Sequence, residues 1–286
     1  MNTWQADFYY LLSLPESQDR QWELVICFDE FNGVLLEKHL KSIVYAAQCS
    51  TPEANAAWLE RQILLAAKGE LPDKIQVFRP QAIGLLSVAA SRLGIKVEAT
   101  RHTNALKQIL IQRRKNQPNY NPLELEKPPP QALPASLWGE RWQIANIAAG
   151  QIIELFSDRP IPICSLPEKF YPINLGLGSD IFIPGIVVYG GKKSMQLASW
   201  IEQQIPAWIN YIPTEVGKSG GLILETGLVD RWVFNTFESE QAAEIAKSYE
   251  EKKRVSQGLH FLLIQPDDSG MTTTAFWLLK QSIDSP

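Results

Sequence analysis

Apolar and polar positions along this chain switch repeatedly between a period of two and a period near 3.6, and each switch marks an element. Trp4–Leu12 and Gln21–Phe28 are rich in aromatic and β-branched residues and read as strands, separated by a Pro15-Glu16-Ser17-Gln18-Asp19 turn. Ser42–Gln48 reads as a third strand. Pro52 opens a helix through Ala57, Leu59, Ile63, Leu64 and Ala67 that Gly69 stops. Lys74–Phe78 alternates like a short strand, and Pro80 sits at a helix start, where no backbone donor is needed. Ile83, Leu86, Val88, Ala89 and Leu93 then recur at helical spacing up to Gly94. Ile95–Ala99 reads as a strand. Thr103 is placed to cap a last helix with Ala105, Leu106, Ile109 and Leu110 on its apolar face.

The element order of this first half is β-β-β-α-β-α-β-α, with the last strands parallel through right-handed crossovers. Three antiparallel strands followed by two crossover units is the order of ribonuclease H-like folds, a likeness of topology that does not decide activity. Gln117–Pro134 holds six prolines, a density expected to forbid helix and sheet and to give a stiff spacer. The expected division is a domain at 1–116, a linker at 117–138 and a second α/β domain at 139–286.

In the second half, Arg141–Ala148, Asp180–Val188, Ala207–Ile212, Gly221–Thr226, Arg231–Thr236, Leu259–Gln265 and Thr273–Leu279 read as strands. Lys192–Gln204 and Glu238–Arg254 read as helices, and Pro266-Asp267-Asp268-Ser269-Gly270 is a turn. Gln151–Phe170 is ambiguous because Arg159-Pro160-Ile161-Pro162 breaks it. A helix, three strands, a helix and a strand in that order predict a mixed-sheet α/β domain that resembles PD-(D/E)XK nucleases in element order, without an intact catalytic motif.

Composition narrows the class. The chain has 286 residues, 45% of them hydrophobic, enough to fill two cores. No apolar run reaches membrane-helix length: Ile181–Tyr189 is interrupted by Pro184 and Gly185, so no membrane insertion is expected. The N-terminus has neither a secretory signal nor an organelle leader pattern. Cys27, Cys49 and Cys164 are scattered and odd in number, as free thiols in a reducing compartment are. His39, His102 and His260 lie far apart in sequence, so no metal site or cofactor is expected.

Charge distribution supplies the candidate chemistry. The formal net charge is −4. Yet Lys96, Arg101, His102, Lys107, Arg113, Arg114 and Lys115 cluster within twenty residues against Glu98 alone. Such a ridge suits phosphates, and a solvated helix face is the plain alternative. Phe78 beside Arg79, and Trp232 beside Arg231, place a stacking ring next to a phosphate-binding cation, as single-stranded nucleic acid requires. Packing in a core is the alternative at each.

Catalytic patterns are incomplete. Gly190-Gly191-Lys192-Lys193 fails the P-loop spacing, although a glycine pair and two lysines at a helix start can hold a phosphate. Asp7 and Glu23 fall on the first two strands, where ribonuclease H enzymes place metal ligands. Glu225 and Asp230 are the acids nearest a PD-(D/E)XK arrangement, and neither is followed by x-Lys. No catalytic residue is assigned.

Several segments together resemble the TAB/ATAB translation factors of chloroplasts and cyanobacteria. They are Phe78-Arg79-Pro80-Gln81, Leu93-Gly94-Ile95, Arg101–Leu106, Leu137-Trp138-Gly139-Glu140-Arg141-Trp142, Leu222–Trp232, Gly258–Leu262 and Phe276–Leu279. In order and spacing the resemblance covers nearly the whole chain, from Trp4 to Leu279, and 151–184 departs most from the family. The resemblance implies an RNA-binding protein without enzymatic activity, acting on single-stranded A/U-rich leader sequence of mRNA for a photosystem I subunit. Translation or photosystem-assembly factors are the implied protein partners. A chain that starts at its first strand fits a cytoplasmic, cyanobacterial member. The expected RNA contacts are Phe78, Arg79, Gln81, Arg101, His102, Lys107, Arg113, Arg114, Lys115, Arg231 and Trp232. A metal-dependent nuclease and a photosystem assembly scaffold are the rival readings.

Overall fold

A computed structural model of the chain describes residues 2–11, 21–28, 44–113 and 121–281. They divide into two compact units, Met1–Glu126 and Lys127–Pro286, so the boundary falls inside the proline-rich stretch. The expected turn at 15–19, His39 and the basic residues Arg114 and Lys115 lie outside the described residues.

The first unit contains β1 (Thr3–Leu11), β2 (Gln21–Phe28), β3 (Val44–Ser50), α1 (Ala56–Ala67), β4 (Lys74–Val77), α2 (Pro80–Arg92), β5 (Lys96–Ala99) and α3 (Asn104–Arg113). This is the expected order of elements. The sheet runs β3-β2-β1-β4-β5, antiparallel through β1, β2 and β3 and parallel from β1 to β4 and β5. Strand alternation assigns the two faces. Trp4, Ala6, Phe8, Leu24 and Ile26 bury against Trp58, Leu59 and Ile63 of α1 and Leu86 and Ala89 of α2. Tyr9, Val25 and Cys27 face Leu106, Ile109 and Leu110 of α3. Leu123 and Leu125 pack on that same side. The start of the proline-rich stretch is thus part of the first unit's wall.

Asn55 caps α1, its side-chain oxygen accepting from Trp58 N at 3.0 Å. Thr103 does not perform the expected capping: its hydroxyl is buried without a hydrogen-bond partner. The N-terminus of α3 is held instead by Gln5, whose Oε1 accepts from Leu106 N at 3.0 Å.

The second unit contains β6 (Gln131–Ala132), β7 (Arg141–Ala148), α4 (Ala149–Ser157), β8 (Ile163–Ser165), β9 (Phe182–Tyr189), α5 (Ser194–Gln204), β10 (Pro206–Glu215), β11 (Ser219–Thr226), β12 (Asp230–Glu238), α6 (Glu240–Val255), β13 (Leu259–Gln265) and β14 (Ala275–Lys280). These form two sheets, β7-β9-β13-β14-β8 and β10-β11-β12-β6. Strands β9, β13 and β14 are buried on both faces, which explains their near-continuous apolar sequences. One face meets Ile152 and Phe156 of α4. The other meets Leu197 and Ile201 of α5, Tyr249 of α6 and Leu222 and Leu224 of β11.

Two expectations are corrected here. The proline-rich stretch does enter a sheet, because Gln131 and Ala132 pair in parallel with Trp232 and Val233. Pairing at the outer edge of a sheet needs few donors, which prolines on either side do not obstruct. The order α5, β10–β12, α6, β13 is present, but the strands do not form one PD-(D/E)XK-type sheet. β13 pairs with β9 and β14, away from β10–β12.

Candidate nucleic-acid interface

The residues expected to grip phosphate in the first unit are placed by α2, α3 and the sheet face beneath α3. Arg79 ends the β4–α2 connection as the N-cap residue of α2, and its side chain turns inward. Its Nε donates to both carboxylate oxygens of Asp7, at 2.9 and 3.1 Å. Its Nη2 donates to Pro122 O at 2.8 Å and Nη1 to Glu124 O at 3.3 Å. Asp7 is fully buried on β1, and burial holds its pKa above the ordinary value although Arg79 pulls the other way. Removing one partner of such a buried pair leaves an uncompensated charge, so Arg79 is committed to the fold.

Arg113, at the end of α3, is held similarly. Its Nη2 pairs with Glu23, which is buried on β2, and Tyr9 OH donates to the same carboxylate. The Arg113 side chain remains 35% exposed, so the outer side of its guanidinium still reaches solvent. Phe78 is 2% exposed. Arg79 and Lys107 lie over its ring at 5.3 and 5.4 Å. The expected stacking of a base on Phe78 is therefore corrected: no face of this ring is open. Lys107 Nζ donates to Arg101 O at 2.7 Å and both residues are half-buried, whereas His102 and Gln81 are exposed. Among the described residues the expected cations do not form a continuous ridge of free charges. Arg79 and Arg113 neutralise Asp7 and Glu23, the acids that a ribonuclease H-type metal site would use.

The same holds for Arg231 and Trp232. Arg231 Nε donates to the buried Glu225 at 3.2 Å. Trp232 lies edge-on to Trp200 at 4.9 Å and donates from Nε1 to Thr226 Oγ1 at 3.2 Å. Among the described residues no group of three or more His, Cys, Asp or Glu side chains is arranged to hold a metal ion.

The second unit contains a cleft that the pattern of charges does not announce. It opens beside β12 where the two-residue strand β6 ends. Trp142 of β7 and Phe234 and Asn235 of β12 line it, with Trp138, Gly139 and Arg141 at its rim. The volume is about 40 Å³. Trp138 is 55% exposed, yet its position is fixed by Nε1 donating to Leu133 O at 2.8 Å. Gly139 lets the chain lie against β9, since a Cβ there would come within 2.6 Å of Val188 Cγ1 and 3.2 Å of Tyr189 O. Asn235 Nδ2 is buried without a hydrogen-bond partner. Arg141 lies over the Tyr189 ring at 4.6 Å and pairs with Asp268 at 2.8 Å, with 57% of its side chain exposed. The signal in the sequence is Trp138-Gly139-Glu140-Arg141-Trp142, two indoles spaced around an arginine.

Two family models match the chain. One, described as "RNA-binding protein Tab2/Atab2, C-terminal domain", matches residues 120–280. The other, described as "RNA-binding protein Tab2/Atab2 N terminal", matches residues 3–113. Among curated proteins the chain is similar to "Protein TAB2 homolog, chloroplastic" of Arabidopsis thaliana, 28% identical over 302 residues, covering 99% of this chain and 75% of that protein. The protein of the same name from Zea mays is 24% identical over 298 residues, covering 96% and 70%. Among solved structures, a simian T-cell lymphotropic virus intasome in complex with PP2A regulatory subunit B56 gamma gives a TM-score of 0.26 at 16% identity, over 41% of this chain and 43% of that one. The trimeric HTLV-2 integrase catalytic core domain with magnesium gives 0.24 at 14% identity, over 42% and 76%. Likeness at that level fixes neither fold nor function.

Proposed function

The chain belongs to the Tab2/Atab2 family of RNA-binding proteins, and from that premise we propose that it binds single-stranded, A/U-rich RNA in messenger leaders and promotes translation of photosystem reaction-centre subunits. The observation that carries this reading is the match of both family models, which between them span nearly the whole described chain. The pairing of Asp7 with Arg79 and Glu23 with Arg113 favours binding over cleavage, since both acids already have cations. Phosphate contacts in the first unit fall to Arg101, His102, Lys107 and the outer side of Arg113, with Gln81 beside them. RNA binding is the family's property; the A/U-rich leader, the photosystem target and a cytoplasmic location are proposed for this chain. No helix among the described residues is long and apolar enough to cross a membrane.

The experiment is crosslinking of the full chain to total RNA in photosynthetic cells, followed by sequencing of what is bound. Enrichment of unpaired A/U-rich leader segments upstream of photosystem genes is the expected result. Recovery of a random sample of abundant transcripts would overturn the specificity.

A further inference from the structure

We infer that the cleft beside β12 is a nucleobase site, in which one unpaired base of an RNA strand stacks on Trp138 and turns its edge toward Asn235. This rests on the RNA-binding reading and adds where in the second unit a base is held.

The chemistry of the rim and of the wall differ in the way a nucleotide requires. Trp138 offers an indole face more than half exposed, on a backbone pinned by the Nε1 bond to Leu133 O. An exposed, rigid aromatic ring loses little entropy on stacking a base. Trp142 and Phe234 make the walls apolar, and a cleft of about 40 Å³ admits the edge of one ring. Asn235 is one of the lining residues, and its Nδ2 is a buried donor without a hydrogen-bond partner in the folded chain. Such a donor carries a desolvation penalty that an acceptor from a ligand would remove. Every base has a ring nitrogen or carbonyl oxygen that can supply it.

Cations lie on and after the rim segment. Glu140 N donates to Tyr189 O at 2.8 Å, so the rim segment runs alongside the end of β9. The chain then turns through Gly190 and Gly191 into Lys192 and Lys193, both exposed. Gly191 has φ +54°, and a Cβ there would lie within 2.6 Å of the Glu140 carboxyl carbon. The turn is thus fitted closely against Glu140 of the rim segment, and Lys192 and Lys193 follow it on the surface. Arg141 adds a third cation, already shared with Asp268. An exposed ring, a buried donor that lacks an acceptor and exposed lysines on the turn packed against the rim segment together suit an unpaired nucleotide better than an apolar peptide side chain.

The test uses the full chain and a fluorescein-labelled, unpaired 12-nucleotide A/U RNA, titrated by anisotropy over a series of salt concentrations, with variants compared at equal salt. Trp138→Ala is expected to raise Kd by about 5- to 150-fold, the range for loss of one base–aromatic stack. Trp138→Phe keeps a ring but loses the Nε1 bond, and is expected to stay within about threefold of the parent. Lys192→Gln with Lys193→Gln should reduce the slope of log Kobs against log salt by about 1.4, two phosphates at roughly 0.7 each. An RNA of equal length with abasic sugars should compete poorly. If the parent binds the RNA and Trp138→Ala binds equally well, the site is wrong and the RNA-binding reading stands. If Trp138→Phe loses as much as Trp138→Ala, Trp138 acts by anchoring Leu133, and the stacking assignment is overturned. If the parent does not bind the RNA, the RNA-binding reading fails first.

Discussion

His260 makes the stability of the second unit depend on pH in a direction set by its burial. It lies on β13, fully buried, with two satisfied ring nitrogens. Nε2 accepts from Ile209 N at 2.9 Å, so the proton of the neutral ring sits on Nδ1, facing Gly258 O at 2.9 Å. Burial, reinforced by the Lys253 ammonium, pushes its pKa down to about 3, against an ordinary value near 6.5. Protonating Nε2 would also set two donors, the ring and Ile209 N–H, against each other. The folded state therefore keeps His260 neutral while the unfolded chain protonates it as pH falls through 6.5. Its contribution is fully present above that pH and is lost progressively between about 6.5 and 3. From pH 7.5 to pH 5 the loss is about 2 kcal/mol, because only the unfolded state takes up the proton over most of that interval. The perturbation is His260→Gln, which does not titrate and keeps an acceptor for Ile209 N. Urea unfolding followed by tryptophan fluorescence at pH 7.5 and 5 gives the stability difference for each protein. The variant is less stable at both values, but its loss on acidification should be smaller than the parent's by about 2 kcal/mol. Equal pH dependence in the two proteins would refute the buried neutral histidine. A histidine ring signal titrating near 6.5 in the folded protein, and absent from the variant, would do so as well.

Other expected outcomes follow from close packing and paired charge. Arg79→Ala should cost the first unit about 3–5 kcal/mol in urea unfolding, because Asp7 is left buried without its partner. Asp7→Asn in the same background should recover part of that loss; a variant as stable as the parent would show that Arg79 is free for ligands. Gly185→Ala should destabilise the second unit by about 1–3 kcal/mol or more, since a Cβ there falls 2.3 Å from the Phe261 ring across the β9–β13 pair. An unchanged urea midpoint would refute that packing.

The elements were legible in the sequence wherever one period persisted. β2, β7 and β13 have the ends that the apolar pattern assigns, Gln21–Phe28, Arg141–Ala148 and Leu259–Gln265. β6 was not, since two residues among prolines carry no period and their partner, β12, is about a hundred residues away. In 151–170 the Arg159–Pro162 break hides the difference between the helix α4 before it and the short strand β8 after it. The candidate site was legible as a count of cations, not as a set of free ones. Arg79 finds Asp7 across 72 positions and Arg113 finds Glu23 across 90, distances over which local charge density carries no information. His260, in one of the family-like segments, has a structural task that no local pattern marks. Trp138 and Asn235 are far apart in sequence and come together only in the folded cleft.

The most direct measurement of the central claim is filter binding of the full chain to an unpaired A/U-rich RNA and to the same RNA annealed to its complement, over a series of salt concentrations. The expected result is preference for the unpaired strand, with log Kobs falling linearly with log salt by roughly 0.7 for each phosphate held. Equal affinity for strand and duplex, or an affinity indifferent to salt, would contradict it.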